Sequence, residues 1–374
     1  MTVLGLLSLG VWAYLVGAHG WFWRSLPELG PLPRGLRSGP TPEVDIIVPA
    51  RDEAQTIGAV IGSLVAQDYP GGFRIILIDD ASSDATAALA ASAAGEFPLT
   101  IVNGRPKPSG WSGKLWALSQ GIERATAPVL LFADADIVHD PRHLSALVDR
   151  LDSPPVDMVS EMVRLNCTSL AERWLIPAFV YFFQMLYPFA RVNDPRSTVA
   201  AAAGGTVLIR RSALDRIGGI GAIKSALIDD VTLAKRIKLG GALYLGHTRL
   251  AASIREYPRP ADIWAMIART AFTQLRHSAL LLAATVLALA LVWWVPIAFT
   301  VSARGCPRAW GCAAYLLSVG SFVPTLRRYR VSSWTALALP LTALFYMAAT
   351  VSSALCFWFG RGARWKNRDY QALS

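Results

Sequence analysis

Four cysteines lie scattered at Cys167, Cys306, Cys312 and Cys356, with no C-x-x-C pair and no histidine at ligand spacing. That pattern excludes a cysteine-based metal site. Cys306 and Cys312 flank a short loop between two apolar stretches, where they read as small membrane-segment residues unless that loop meets an oxidising space. Acidic residues are also scarce: 26 Asp and Glu stand against 36 Lys and Arg, a formal charge of +10. A basic surplus suits nucleic acid, anionic lipid or phosphate-bearing substrates. The chain lacks a basic helix and an aromatic RNA-binding signature, so nucleic acid is not the expected partner. Its arginines crowd instead beside apolar segments, where they set membrane topology. No internal repeat is found. Charged residues make up 17% of the 374 positions and hydrophobic residues 53%. The chain is too apolar for a typical soluble protein and too mixed for a pure membrane bundle, which leaves a soluble module joined to membrane segments.

Residues 3–23 (VLGLLSLGVWAYLVGAHGWFW) carry no charge and are long enough to cross a bilayer core of about 30 Å. The stretch has no basic start and ends on Trp21, Phe22 and Trp23, an interfacial belt more than a cleavage site. It reads as an anchor over 1–24, and Arg24, Arg34 and Arg37 place the next domain in the cytoplasm. A Pro-, Gly- and Arg-rich linker follows over 25–43. From 44 to 277 strand-like runs (VDIIVPA, FRIILIDD, LTIVNG, VLLFADAD, DMVSEMV) alternate with helical spacing such as Ile57, Val60, Ile61, Leu64 and Val65. This alternation predicts an α/β domain, a mostly parallel sheet with helices on both faces. Within it, 170–192 is apolar and aromatic but broken by prolines, as in an interfacial helix or a groove for an apolar substrate.

Residues 278–360 hold about three membrane segments: Leu280–Thr300, a short Gly311–Val323 and Trp334–Phe359. A basic tail occupies 361–374. Three crossings put Arg327, Arg328 and Arg330 inside, as the positive-inside rule asks. They put Arg361, Arg364, Lys366 and Arg368 outside, against it.

Carboxylates cluster at three places. VLLFADAD ends on Asp134 and Asp136, which in an extended strand point the same way. Two close carboxylates repel unless a cation, a donor or a proton compensates. Mg²⁺ or Mn²⁺ does so while leaving positions for phosphate oxygens, although a D-x-D alone is also a common solvated turn. IILIDDASSDAT closes a second strand on Asp79 and Asp80, two acids that need donors such as a nucleotide's imide and hydroxyl groups, with Asp84 behind them as a helix cap. ALIDDVTLAKRIKLGG opens a helix on Asp229 and Asp230, where acids are favoured by the dipole and where a general base over an acceptor is the functional alternative. Lys114 sits at a helix start behind Gly110 and Gly113 and suits a phosphate. Arg269, before the membrane region, reads equally as a snorkelling arginine. Gly204 and Gly205 precede a strand and permit close approach to a ligand.

Over roughly Val44 to His277 these motifs, in this order, resemble the family 2 glycosyltransferases of GT-A fold: VPARDEAQTI, LIDDASSDAT, GKLWALSQGI, FADAD, GGTVLIRRSALDRIGG and IDDVTLAKRIKLGG. More narrowly, IPAFVYFF, AAAGGTVLIRR, ALIDDVTLA, ARTAFTQLRHS and the closing WKNRDY resemble the hopanoid-biosynthesis-associated membrane glycosyltransferases; ceramide and carotenoid glycosyltransferases are similar at greater distance. The resemblance implies a Rossmann-like GT-A domain at the bacterial cytoplasmic membrane and metal-dependent, inverting transfer from a nucleotide-diphosphate sugar, a UDP-sugar being the expected donor, to a lipid acceptor. Carried over by position, Arg51, Glu53, Asp79, Asp80, Lys114 and the Gly204–Gly205 pair hold the nucleotide-sugar, and Asp134 touches ribose or sugar beside the metal. Asp136 binds Mg²⁺ or Mn²⁺, Asp230 with Asp229 supplies the base, and Arg269 adds positive charge. A Q-x-x-R-W motif common in such relatives reads here Met266, Ile267, Ala268, Arg269, Thr270. The resemblance places that Trp beside the acceptor sugar in polymer synthases, so its loss argues for a single sugar transfer. Other lipid acceptors (carotenoid, polyprenyl phosphate, diacylglycerol), a nucleotidyltransferase and a non-catalytic membrane scaffold stay open as alternatives.

Overall fold

The computed structural model describes residues 2–30, 41–152, 154–360, 364–365 and 368–369. Residues 31–40 of the expected linker, and the side chains of the expected basic tail, lie outside it. The chain opens with the apolar helix Thr2–Gly17 (α1). Nine strands then build one mixed sheet: Glu28–Leu29 (β1), Val44–Ala50 (β2), Phe73–Asp79 (β3), Leu99–Asn103 (β4), Val129–Ala133 (β5), Ile137–His139 (β6), Met158–Arg164 (β7), Thr206–Arg210 (β8) and Leu243–Ser253 (β9). Their order is β1-β9-β7-β8-β5-β2-β3-β4, with β6 against β9. Strands β2 to β5 pair in parallel, β8 reverses between β5 and β7, and β6 runs against β9. The chain steps outward from β2 to β3 and β4, then crosses to β5 on the other side of β2. That reversal of order opens a crevice at the carboxyl ends of β2 and β5.

Side chains alternate across a strand, so each central strand feeds two cores. Ile46 and Val48, Ile75 and Leu77, and Leu131 pack under helices Ile57–Val65 (α2), Thr86–Ala94 (α3) and His143–Asp152. Ile47, Ile76, Ile78, Leu130 and Phe132 face the opposite way, toward Gly113–Arg124 (α4), Leu170–Leu186 (α5) and Asp229–Lys238 (α6). This second core continues without a break into Trp12, Trp293, Ala314 and Phe322 of the apolar helices. Full burial of each such Ile, Leu or Phe contributes about 1.5–3 kcal/mol, which ties the sheet domain and the apolar helices into one packing unit.

The apolar stretch predicted to lie at an interface is α5. A capping box fixes its start, Ser169 accepting from Glu172 N while Glu172 accepts from Ser169 N, two orphan donors satisfied at once. Glu172 is fully buried and also accepts from Tyr257 N at 2.6 Å, so the loop after β9 is bonded to the helix. On its other side Tyr181 bonds Ser321 at 2.7 Å, and Phe182 packs edge-on to Trp293 at 5.8 Å.

Short helices Pro260–Ala268 (α7) and Ala271–Gln274 (α8) lead to Ala279–Ser302 (α9) and Cys306–Arg328 (α10). A last helix, Ser333–Trp358, begins as a 3-10 turn and continues as Leu339–Trp358 (α11). The segments 279–302, 306–328 and 333–358 are each long and apolar enough to cross a membrane. The middle one is longer than its apolar run suggested because Pro307 opens the helix, where a missing N–H costs nothing, and Arg327 and Arg328 close it against the helix dipole. At the other end α1 is shorter than the uncharged stretch 3–23. Its 16 residues rise about 24 Å, and the chain then turns through Gly20 (φ +65) and Trp21 (φ 52). A Cβ on Gly20 would come within 2.7 Å of Pro188 Cβ, so the turn is pinned against the segment after α5. Helix α11 keeps both ends on the sheet domain. Thr342 takes a bond from Trp174 of α5 at 2.8 Å, and Phe357 stacks on His277 at 4.3 Å. Helix α9 instead departs at Ser278, and its end packs Phe299 against Gly5 of α1 and Gly311 of α10.

Candidate active site

The crevice between β2 and β5 gathers most of the residues singled out above. Arg51, just past β2, donates to the carbonyl of Asp80 at 2.6 Å. Its buried Nε has no acceptor among the described residues. Buried donors are rarely left so; the Asp52 carboxylate stands 3.8 Å away, beyond hydrogen-bond distance. Asp79 accepts from Ser82 N at 3.0 Å, and Asp80 is buried beside Gly104, where a Cβ would come within 2.9 Å of Asp79 O. The loops after β2 and β3 are clipped together by Glu53 N donating to Thr86 at 2.8 Å and by Ser83 N donating to Asp52 at 2.7 Å. Asp84 is not the cap expected of it: Ala85 holds the N-cap position of α3, and Asp84, one residue earlier, accepts from Thr86 N at 3.0 Å and from Ala54 N at 3.1 Å, tying the loops after β2 and β3 together.

Asp134 and Asp136 are not on an extended strand. Strand β5 ends at Ala133, and residues 134–136 turn sharply into β6, with Ile137 N bonded back to Asp134 O at 3.3 Å. The two carboxylates therefore take different partners, though Asp134 still feels the charge of Asp136. Lys114, from the first turn of α4, donates to Asp134 at 2.7 Å and lies 3.5 Å from Asp229. Ser112 caps that helix through Leu115 N and so aims Lys114 into the crevice. Asp136 meets Arg255 Nε at 2.5 Å, and the other end of the same guanidinium grips Glu53 at 2.8 and 3.0 Å.

Asp229 and Asp230 open α6 as expected. Burial, and next the charge of Asp229, push Asp230 up to about 7, while Lys114 pulls the other way. Asp134 is also raised, by burial first, against the pull of Lys114. Burial opposes the charge on Lys114, but Asp134 and Asp229 outweigh it and hold the ammonium above its ordinary range. The two glycines separate in role. A Cβ on Gly204 would come within 3.2 Å of Asp230 and 3.5 Å of Lys114, whereas one on Gly205 would touch Ile137 and Val163. Only the first fronts the site. Arg269 is exposed at the end of α7 and reaches the site at second hand: it acts on Tyr257, whose hydroxyl also feels Arg255, Asp136 and Asp134.

Sequence reasoning missed Arg255, which reads as an ordinary charge after a strand, and it missed the tyrosines. Tyr187, at the end of α5, accepts from Gln274 at 2.5 Å; burial raises its pKa, and the charge of Asp230 adds to the rise. A hard divalent cation fits this donor set in a limited way. Among the described residues no three acidic, cysteine or histidine side chains form a ready cage. Two carboxylates on one turn leave most of a six-ligand shell to water and phosphate oxygens, which is how Mg²⁺ is usually held beside a phosphate.

Residues 45–218 match the family described as Glycosyl transferase family 2. An N-acetylglucosaminyltransferase of Rhizobium leguminosarum is 27% identical over 187 residues, 48% of this chain and 42% of the relative. A beta-monoglucosyldiacylglycerol synthase of Synechocystis is 23% identical over 263 residues, 62% of this chain and 52% of the relative. The chain thus spans about half the length of these curated relatives. Among solved structures, a mannosyltransferase of Pyrobaculum calidifontis in complex with GDP-Man and Mn²⁺ matches 96% of this chain and 99% of its own at 21% identity, with a TM-score of 0.58. The shared fold is GT-A.

Proposed function

We propose, taking residues 45–218 as a family 2 glycosyltransferase domain, that this chain moves one sugar from a nucleotide-diphosphate sugar to a lipid hydroxyl in a single inverting displacement. One observation carries the reading: the aspartate crevice and the membrane helices meet at α5. Tyr187 at the end of that helix is close enough to feel Asp230, and its body packs Tyr181 and Phe182 on Trp293 and Phe322. An apolar acceptor sliding along α5 arrives with its hydroxyl at the base.

Asp230 takes the hydroxyl proton as the acceptor oxygen bonds to the anomeric carbon and the nucleoside diphosphate leaves from the opposite face. Arg51, Asp79, Asp80 and Lys114 hold the donor, with Glu53 and Gly204 shaping its bed. Asp136 and Asp134 would hold Mg²⁺ or Mn²⁺, which would supply positive charge for the departing diphosphate, and Arg269, acting through Tyr257, would add to it. UDP is the expected nucleotide. A hopanoid or related isoprenoid lipid is the acceptor favoured by the sequence resemblance. Diacylglycerol is the alternative supported by the name of the Synechocystis relative.

In a bacterial inner membrane the domain faces the cytoplasm, with α9 and α10 as a hairpin through the bilayer. The contacts of α11 with Trp174 of α5 and with His277 support a helix that lies along the domain, although it is long enough to cross. The loop 327–330 then lies on the cytoplasmic side, as the positive-inside rule asks.

The test is nucleoside diphosphate release by detergent-purified protein, across UDP- and GDP-sugars with Mn²⁺ or Mg²⁺ and extracted lipids. Turnover with one donor, lost in Asp230→Asn and Asp136→Ala, supports the reading. Absence of both turnover and metal-dependent nucleotide binding would leave a scaffold that keeps the fold without the chemistry.

A further inference from the structure

A cavity of about 130 Å³ opens where the β7–β9 edge of the sheet meets the apolar helices, and its wall is basic. Arg164 closes β7, Arg249 belongs to β9, and Arg327, Arg328 and Arg330 come from the last turn of α10 and the loop after it. One carboxylate answers them. Glu28 of β1 accepts from Arg249 at 2.7 Å and from Arg328 at 2.7 Å. Among the described residues no acid pairs with Arg164, Arg327 or Arg330. His247 in the same wall adds no charge, since burial and then Arg328 hold its pKa well below the ordinary value. Five arginines against one carboxylate leave a positive surplus around one small cavity, and Arg164, Arg249, Arg327 and Arg330 are exposed there, open to an anion.

Membrane topology asks only that arginines lie near a helix end, and the dipole of α10 accounts for Arg327 and Arg328. Neither accounts for Arg164 and Arg249, which the sheet brings to the same cavity from two other strands. The cavity also stands at an interface. Arg328 donates to Ser25 O at 3.3 Å, directly after the Trp21–Trp23 belt, where Arg24 lies 4.3 Å over the Trp21 ring. Aromatic residues with arginine mark the headgroup level of a bilayer. Guanidinium forks match phosphate oxygens in pairs.

We propose that this cavity binds the phosphate of an anionic phospholipid headgroup, at a site sharing no residue with the aspartate crevice. A lipid seated there bridges β7, β9 and the loop after α10, and so fixes the sheet domain against the bilayer face. The proposal rests on membrane association and not on sugar transfer, so it survives or fails independently of the donor and acceptor.

Full-length protein in a neutral detergent is titrated with phosphatidylglycerol, phosphatidylcholine or inorganic phosphate, with retained lipid read by native mass spectrometry and stability by Tm. Phosphatidylglycerol is expected to be retained and to raise Tm, and phosphatidylcholine to do neither. The double variant Arg327→Gln/Arg330→Gln, both exposed positions, should weaken phosphatidylglycerol about 30-fold, as two arginines near a charged surface predict. Arg304→Gln/Arg308→Gln, at the opposite end of α10, should leave it unchanged. If the first pair fails to fold, Arg164→Gln carries the same expectation at about 5-fold. Equal retention of both lipids, or wild-type affinity in the pocket variants, overturns the proposal. A full effect from inorganic phosphate alone reassigns the cavity to a soluble anion.

Discussion

Asp136 and Asp230 are the same side chain, half-buried in one crevice, yet they stand in opposite electrostatic positions. Asp136 is answered by a guanidinium at 2.5 Å that is itself anchored to Glu53. Among the described residues no salt bridge forms at Asp230: Lys114 pulls on it but is engaged with Asp134 at 2.7 Å and Asp229 at 3.5 Å. Burial and Asp229 then push Asp230 up to about 7. A paired carboxylate is suited to remain a ligand, and one poised near neutrality is suited to exchange a proton with an acceptor. One strand-end crevice makes both by placing Arg255 and Lys114 unevenly.

The largest test of that contrast is Asp230→Asn. It should lower kcat by roughly 10²–10⁴ while leaving nucleotide affinity at the wild-type value, measured by steady-state kinetics beside calorimetric titration. Asp136→Ala should cost about 10²–10³ in rate and also weaken metal-dependent nucleotide binding; equal loss of binding in both variants would erase the distinction. Arg255→Ala leaves two carboxylates facing each other. With Arg255 partly exposed, we expect a Tm lower by the equivalent of about 1–2 kcal/mol in chelator and a smaller deficit in Mn²⁺, read by thermal unfolding.

The pH dependence follows from the raised Asp230. Its base form grows as pH rises through about 7, so wild-type turnover should climb across that range. A folded-state pKa raised above the unfolded one contributes stability at low pH that is lost as pH rises through the folded value. Asp230→Asn should therefore gain most Tm over wild type at pH 8, and progressively less as pH falls toward the ordinary aspartate value. The smallest effect falls on the glycines. Gly204→Ala crowds Asp230 at 3.2 Å and should cut kcat by about 3- to 10-fold, of order 1 kcal/mol as for a modest core overpacking; Gly205→Ala, facing Ile137 and Val163, should leave kcat near wild type.

Much of the frame was legible because burial writes itself locally. VDIIVPA, FRIILID and VLLFA carry apolar residues toward both faces of a strand and became β2, β3 and β5 at the expected positions. The helix opening on Asp229 and the one carrying Lys114 were legible for the same reason. The geometry of Asp134 and Asp136 was not, since an apolar run continuing into a D-x-D gives no sign that the backbone turns after Ala133. The length of α1 was hidden too: the uncharged run extends through Trp23, but the helix stops at Gly17, where packing on Pro188 turns the chain.

Sequence by itself determined the strands β2 to β5, β7 and β8 and the apolar helices, because periodicity acts over a few residues; β1, β6 and β9 were not read from it. Only the tertiary structure decided which charge faces which. Arg255 reaches Asp136 across 119 residues of chain, carried there by a β9 that lies four places from β2 in the sheet. The five arginines of the second cavity likewise come from two strands and a helix end. Charge pairing is set by distance in space, and the strand order that fixes those distances is a property of the whole sheet.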